Sequence, residues 1–146
     1  MQKSILVPVD FSEVTSKVIS EAAALATDTS HRLSLLHVVN PTIVTTPYYI
    51  TAVDIARELQ ERVKRAQERL EKHAAELREK NFEVSIEVLQ GEAARSIVKA
   101  AEKPEIRYIV IGSHGHGRVY DLLVGSTAHG ILRRAKTPVV IVPLAS

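Results

Sequence analysis

The most informative stretch of the chain reads Ile111-Gly-Ser-His-Gly-His-Gly-Arg-Val-Tyr-Asp-Leu-Leu-Val-Gly-Ser-Thr127. It follows an apolar run that predicts a strand over Arg107 to Ile111, and it leads into a helical pattern over Gly125 to Ala135. Glycine lets a backbone come close to a ligand and turn its N–H groups inward, and a helix N-terminus adds unpaired N–H donors. The stretch therefore predicts a phosphate cradle made of two chain segments at the carboxyl end of a strand.

Short apolar runs alternate with helical patterns along the rest of the chain. The predicted strands are Ile5 to Val9, Leu33 to Val39, Phe82 to Leu89 at a sheet edge, Arg107 to Ile111 and Thr137 to Val142. The predicted helices start after Ser12, at Thr51, at Glu92 and at Gly125, and residues 41–50 read as an irregular loop. Strands that alternate with helices imply right-handed crossovers, and hence an α/β fold with a mostly parallel open sheet and helices on both faces.

Two helix starts and one helix face can be predicted in more detail. Ser12 can cap the first helix with its hydroxyl, and Thr51 with Asp54 has the spacing of a capping box. Charged residues along the second helix are spaced for ion pairs one turn apart, as in Glu58 with Arg62. We expect these charges to form a solvated helix face rather than a binding surface.

Composition narrows the class of protein. The chain has 146 residues, the length of one domain, so we expect a single domain over residues 1–146. Its 19 Lys and Arg against 17 Asp and Glu leave a net charge of +2, which is too even for a protein whose main partner is nucleic acid. Disulfides and thiolate chemistry are excluded because cysteine is absent, and no apolar run approaches the ~18 residues of a membrane span. A cytoplasmic protein is the default expectation.

The end of the first strand contributes a second candidate group, Asp10. In open α/β sheets, ligands bind beyond the carboxyl ends of the strands, where the strand order reverses. If the first and fourth strands are neighbours, Asp10 and Gly112 flank one crevice, and the carboxylate can meet a ribose hydroxyl or a metal ion. Val38, which ends the second strand, would offer an apolar wall or backbone polar groups to a flat base. The alternatives are helix capping for Asp10 and an ordinary turn for the glycines.

The glycine pattern matches neither of two common phosphate-binding motifs. No Gly-Lys-Ser/Thr occurs, which excludes a Walker A loop, and Asp-Phe-Ser-Glu follows the first strand without a glycine, which excludes a Rossmann fingerprint. The spacing Gly112-x2-Gly115-x9-Gly125-Ser126 instead resembles the ATP-binding motif of the universal stress proteins. The segments Ile5 to Ser12, Leu35 to Val38 and Thr137 to Val142 are similar to the first, second and last strands of that family.

The resemblance implies a fold, a ligand and a set of site residues. The implied fold is a five-stranded parallel sheet ordered 3-2-1-4-5, and the implied ligand is ATP, with Mg²⁺ as a possible companion. By analogy, adenine and ribose would be surrounded by Pro8, Val9, Asp10 and Val38. Ribose and phosphates would be wrapped by Gly112, Ser113, His114, Gly115, His116, Gly117, Arg118, Gly125, Ser126 and Thr127. Family members that do not bind ATP lack the glycine motif, and this chain keeps it.

Neither a protein-built metal site nor a catalytic centre is expected. His114 and His116 lie two residues apart, but no neighbouring acidic cluster completes a metal site, so we expect them to line the phosphate loop or to be exposed. Any metal would be Mg²⁺ carried by ATP, with Asp10 as its possible protein ligand. Without a visible catalytic set, an ATP-binding regulatory protein is preferred over an enzyme, and the family resemblance implies a role in stress survival. The alternatives are a slow ATP hydrolase or adenylyl-transferring enzyme, and a dimeric interaction module without nucleotide.

The last predicted strand also indicates an oligomer. Val139 to Val142 is apolar on both faces, yet it would lie at a sheet edge, and an exposed apolar edge strand invites pairing with another chain. The resemblance likewise implies a homodimer through residues 137–142. The alternative is that a loop covers this edge.

Overall fold

A computed structural model describes residues 2–42, 51–115 and 124–144. Its elements in chain order are β1 (Ser4–Pro8), α1 (Thr15–Thr29), β2 (Arg32–Val39), α2 (Ala52–Glu79), β3 (Val84–Gln90), α3 (Ala93–Ala100), β4 (Ile106–Gly112), α4 (Ser126–Arg134) and β5 (Val139–Val142). The predicted alternation of strands and helices is confirmed, with ends that shift by a few residues. The loop predicted over residues 41–50 falls mostly outside the described residues.

The five strands form one parallel sheet in the order β3-β2-β1-β4-β5, as predicted. The chain builds outward from β1 to β3 on one side and then crosses to β4 and β5 on the other. The strand order therefore reverses between β1 and β4, and the carboxyl ends of these two strands meet at the middle of the sheet. This is the position at which the sequence places Asp10 and Gly112.

Both faces of the sheet are covered by helices. Ile5 and Val7 of β1 are fully buried on the face packed by α1 and α2, together with Leu70 of α2. Leu6 lies on the opposite face with α3 and α4. A strand with both faces buried favours apolar residues on both, and this explains the unbroken apolar run from Ile5 to Pro8 in β1.

The helices α3 and α4 pack against each other at very short range. A methyl group at Gly130 of α4 would lie 2.8 Å from the Cβ of Ala94 in α3, closer than such atoms can approach. Glycine at this position therefore brings the two helix axes together. In addition, the Glu92 carboxylate accepts the N–H groups of Ala94 (3.2 Å) and Arg95 (2.8 Å), and so caps α3.

The capping box of α2 is confirmed. Thr51 Oγ1 accepts the Asp54 N–H, and the Asp54 carboxylate accepts the Thr51 N–H, each at 3.1 Å. The 28-residue helix is about 42 Å long, whereas the eight residues of β2 span about 26 Å. Its first turns consequently extend past the sheet, and its buried side chains begin only at Ala66.

The prediction that Ser12 caps α1 is wrong. Helix α1 begins at Thr15 with Val14 as its N-cap, and no side chain caps it. Residues 10–12 are used for a turn instead, since Asp10 Oδ1 accepts the Ser12 N–H at 3.0 Å and Phe11 has a left-handed φ of 61°. The Ser12 hydroxyl is buried, with no hydrogen-bond partner among the described residues.

The predicted ion pairs one turn apart on α2 are also not formed. In the part of the chain that the structure describes, the ion pairs within α2 join Glu58 to Arg65 (3.4 Å) and Glu71 to Arg78 (2.6 Å), two turns apart. Arg62, which was expected to pair with Glu58, donates to the Asn40 carbonyl at 3.4 Å. An arginine side chain is long enough to reach a glutamate two turns away or, as in Arg62, the Asn40 carbonyl just beyond the end of β2. None of the described helices is long and apolar enough to cross a membrane.

Candidate functional site

A cleft of about 340 Å³ opens over the carboxyl ends of β1 and β4. Its lining contains eleven of the fourteen residues singled out in the sequence: Pro8, Val9, Asp10, Val38, Gly112, Ser113, His114, Gly115, Gly125, Ser126 and Thr127. The other three, His116, Gly117 and Arg118, lie outside the described residues. The volume falls at the lower end of the range for small-molecule sites. Residues from four separate parts of the chain thus converge where the strand order reverses.

Asp10 and Gly115 are in direct contact across this cleft. A Cβ atom built on Gly115 would overlap Asp10 Oδ2 and lie 2.9 Å from Asp10 Cγ, so no other residue fits unless Asp10 moves. The helix-capping alternative for Asp10 is not what the structure shows, because its Oδ1 accepts the N–H of Ser12 within the turn after β1. The glycine thus places a backbone segment directly against a carboxylate.

The N-terminus of α4 faces the same space. Gly125 is its N-cap, without a side-chain capping bond, and the first helical hydrogen bond runs from the His129 N–H to the Gly125 carbonyl at 2.9 Å. The N–H groups of Ser126, Thr127 and Ala128 precede that bond and have no partner within the helix. With the helix dipole, they make the cleft attractive to an anion.

Ser113 connects the elements around the N-terminus of α4. Its N–H donates to the Val142 carbonyl (2.8 Å), and its carbonyl accepts the Gly125 N–H (2.6 Å). Its hydroxyl accepts the Leu144 N–H at 3.1 Å and lies 3.2 Å from His114 Nδ1. Ser113 was predicted as a nucleotide ligand; the structure places its buried side chain against His114 and the Leu144 N–H, while its backbone joins β4 to β5 and to the start of α4.

The opposite end of the cleft has apolar walls. Leu36 and Val38 of β2 face Ile97 of α3 and Ile131 of α4 across it. The last hydrogen bond between β1 and β2 runs from the Val9 N–H to the Leu36 carbonyl at 2.8 Å, and beyond it the two strands separate. This opening between apolar surfaces suits a flat ring system.

His37 is the main residue of this region that the sequence-based prediction missed. It lines the cleft, and its Nδ1 donates to the Val9 carbonyl at 2.7 Å, so Nδ1 carries the proton. Burial lowers the pKa of His37; its bond to Val9 and the charge of Asp10 oppose that shift, while Arg69 and Arg62 add to it. The available signal was a lone polar residue inside the apolar strand Leu35-Leu-His-Val38.

Phe11 and Arg69 hold the His37 ring in place. The ring centroids of Phe11 and His37 are 4.5 Å apart. The Arg69 guanidinium lies over the Phe11 ring, 4.1 Å from its centroid. Thr15 also lines the cleft, and its buried hydroxyl has no hydrogen-bond partner within the described ranges. The contacts among Phe11, His37 and Arg69 could not be expected from local sequence, since these residues come from different parts of the chain.

The described residues contain no cluster of three or more His, Asp or Glu side chains that could hold a metal ion. Asp10 is the one carboxylate among the described residues that line the cleft. A single carboxylate can complete the shell of a Mg²⁺ ion that arrives bound to phosphates, because Mg²⁺ keeps most of its other ligands as phosphate oxygens and water.

Comparisons with known proteins give similar chains of similar length. A curated relative, universal stress protein YxiE of Bacillus subtilis, is 29% identical over 147 residues, which cover 97% of this chain and 99% of the relative. The solved structure of protein MJ0577, a relative from Methanocaldococcus jannaschii, superposes with a TM-score of 0.85 at 27% identity, covering 100% of this chain and 99% of that one.

A more distant solved structure contains a bound nucleotide. A universal stress protein from Archaeoglobus fulgidus, in complex with dAMP, has the same fold with a TM-score of 0.65 at 22% identity, covering 95% of this chain and 96% of that one. The family model for the universal stress protein family matches residues 1–143. With the strand order, the cleft and this match over nearly its whole length, the chain belongs to the universal stress protein family.

Proposed function

We propose that the protein binds an adenine nucleotide, with ATP as the first candidate, and acts as a nucleotide-dependent regulatory protein in stress survival. The observation that carries the proposal is the contact between Gly115 and Asp10 beside the uncapped N-terminus of α4. It combines a backbone surface for phosphates with a carboxylate for ribose hydroxyls or for Mg²⁺ bound to the nucleotide. The dAMP complex of the relative supports an adenine nucleotide as the ligand class.

The two ends of the cleft divide the nucleotide between them. The phosphates lie at Gly112, Gly115 and the first turn of α4, where N–H groups and hydroxyls of Ser126 and Thr127 donate to anionic oxygens. The base lies between the apolar walls near Val38, and the ribose lies beside Asp10. Adenine, rather than guanine, follows from the family resemblance.

We propose binding rather than turnover. Phosphoryl transfer requires an oriented nucleophile and charge stabilisation around the transferred phosphate. Asp10 is the one carboxylate among the described lining residues, and we assign it to ribose or Mg²⁺. Occupancy of the cleft would then bias the shape of the protein or its choice of partners.

The first experiment identifies the nucleotide. Purified protein is denatured, released nucleotide is analysed by chromatography, and ATP, ADP, AMP and GTP are titrated by calorimetry. Gly115→Val should weaken ATP binding at least 100-fold because its side chain displaces Asp10. Gly125→Ala is the matched control, since its Cβ meets only ordinary contacts of 3.4 Å or more, and it should lose less than tenfold.

The outcomes separate the alternatives. ATP binding that is lost in Gly115→Val and kept in Gly125→Ala supports the proposal. Equal ATP affinity of Gly115→Val and the unaltered protein would contradict the assignment of the site. ATP turnover well above background that Asp10→Ala abolishes would favour the enzyme alternative, a hydrolase or adenylyl-transferring protein. Failure of all four nucleotides to bind would favour the interaction module.

We further propose a homodimer through β5. This four-residue strand is apolar, ends the sheet beside β4, and leaves Val140 39% exposed. An exposed apolar edge strand pairs readily with a second copy about a two-fold axis. Ile141→Lys puts a charge into this strand and should shift the mass in light scattering from dimer to monomer. A dimer that persists in Ile141→Lys would contradict this interface.

A further inference from the structure

The inference concerns the point at which β1 and β2 stop pairing. In a parallel ladder, the Val9 N–H bonds the Leu36 carbonyl, and the next bond would join the Val38 N–H to the Val9 carbonyl. The first bond is present at 2.8 Å. The second is absent from this fully described part of the chain, because the Val9 carbonyl accepts the His37 Nδ1–H at 2.7 Å. A side chain has taken the place of a ladder donor.

The backbone of Val38 consequently faces the cleft. Backbone polar groups alternate in direction along a strand, so Val38 points to the same side as Leu36, toward β1. Val39 points the other way, since its carbonyl accepts the Gly91 N–H beyond the end of β3 at 2.9 Å. Val38 lines the cleft and therefore presents one donor and one acceptor to its interior. Side-by-side donor and acceptor groups match the hydrogen-bonding edge of a purine.

We propose that His37 is a positioning residue: by occupying the Val9 carbonyl, it stops the β1–β2 ladder and keeps the Val38 N–H and carbonyl available to the base of the ligand. His37 makes no bond to the ligand. Its contribution is to prevent the cleft from closing between the two strands. The ligand part of this inference rests on the proposed function, whereas the part about the ladder does not.

Two neighbours keep His37 in this role. Phe11 stacks on its ring at 4.5 Å, and Arg69 covers Phe11 at 4.1 Å, so the ring cannot easily turn away from Val9. The surrounding charges are Asp10, Arg69 and Arg62. The neutral ring can donate to the Val9 carbonyl when its proton is on Nδ1, and burial favours the neutral form by lowering the pKa of His37, although the bond to Val9 opposes that shift.

A pair of substitutions tests the role at nearly constant shape. His37→Asn keeps an N–H donor at the δ position, and His37→Leu replaces that donor with a methyl group. Hydrogen exchange at the Val38 amide, followed by NMR without nucleotide, should be fast in the unaltered protein and in His37→Asn. It should slow at least tenfold in His37→Leu because the Val38 N–H then pairs with Val9. Unchanged exchange in His37→Leu would overturn the proposal.

Ligand binding provides the second readout. ATP affinity should fall at least tenfold in His37→Leu and stay within threefold in His37→Asn. Ribose 5-triphosphate has no base, and its affinity should be the same in all three proteins. A parallel loss for both ligands would overturn the positioning role and indicate general structural damage. If the unaltered protein binds no ATP, the proposed function fails. The exchange result would still show whether His37 prevents the Val38 N–H from pairing with the Val9 carbonyl.

One further measurement covers the case in which His37→Leu does not fold. The unaltered protein should show the Nδ1–H tautomer of His37 by imidazole nitrogen NMR, with a coupling across the hydrogen bond to the Val9 carbonyl. A proton on Nε2 would contradict the proposal without any substitution.

Discussion

The two ends of the cleft differ in whether side chains or the absence of side chains give them their shape. The proposed base wall consists of Val9, His37 and Val38, with Phe11 packed on the His37 ring, and it depends on side chains that stack on one another and bond the main chain. The phosphate wall, formed by residues 112–115 and 125–127, depends on places where a side chain is missing, above all Gly115. Truncation should therefore damage the base wall, and added atoms should damage the phosphate wall. Truncating substitutions are therefore the informative ones in the base wall, and substitutions that add atoms are the informative ones in the phosphate wall.

Phe11→Ala should have the largest effect on stability. It removes the ring between His37 and Arg69, and loss of this half-buried aromatic group should lower the free energy of unfolding by about 2–3 kcal/mol. Phe11→Gly removes the same contacts but fits the left-handed φ of 61° at this position. It should therefore be more stable than Phe11→Ala by about 1 kcal/mol. Urea unfolding of both variants measures the difference, and an Ala variant as stable as the Gly variant would argue against strain at Phe11.

Ser113→Ala should give the next largest effect, because it removes a side-chain hydrogen bond that anchors the proposed phosphate wall. The hydroxyl that accepts the Leu144 N–H at 3.1 Å is lost from a buried position. The free energy of unfolding should fall by about 1–2 kcal/mol. The exposed Ser126 provides the control, and Ser126→Ala should stay within about 0.5 kcal/mol. If both variants unfold at the same urea concentration, Ser113 is not an anchor.

The smallest effect is a dependence of stability on pH that originates in the base wall. The pKa of His37 is lower in the folded protein than the ordinary 6.5, chiefly because of burial. The folded state therefore binds this proton less readily than the unfolded state, and stability is lost as the pH falls below 6.5 through the folded pKa. His37→Asn should flatten this part of the curve. Identical pH profiles for the two proteins between pH 7 and about pH 5 would remove His37 as the cause.

The fold could be predicted from sequence because its signals are local. The apolar run of β1 is continuous since the strand is buried on both faces. The capping box of α2 is formed by Thr51 and Asp54 within a single turn. The glycine spacing similarly identified the phosphate wall, since Gly115 has to leave room for Asp10. These features need only the chemistry of the residues concerned and their separation along the chain.

The missed features depend on contacts between elements. Ser12 was expected as a cap, but the turn that places Asp10 uses its N–H and moves the helix start to Thr15. His37 could be seen as a polar residue in an apolar strand, but its partner, the Val9 carbonyl, is 28 residues away and is reached only after β1 and β2 pair. The phosphate wall can therefore be recognised from sequence more easily than the base wall.

The close approach of α3 and α4 has a mechanical consequence. Because Gly130 brings α4 directly against Ala94 of α3, we expect the two helices to move as one unit rather than to slide past each other. A ligand that draws in the first turn of α4 would then also displace α3, whose start is capped by the Glu92 carboxylate.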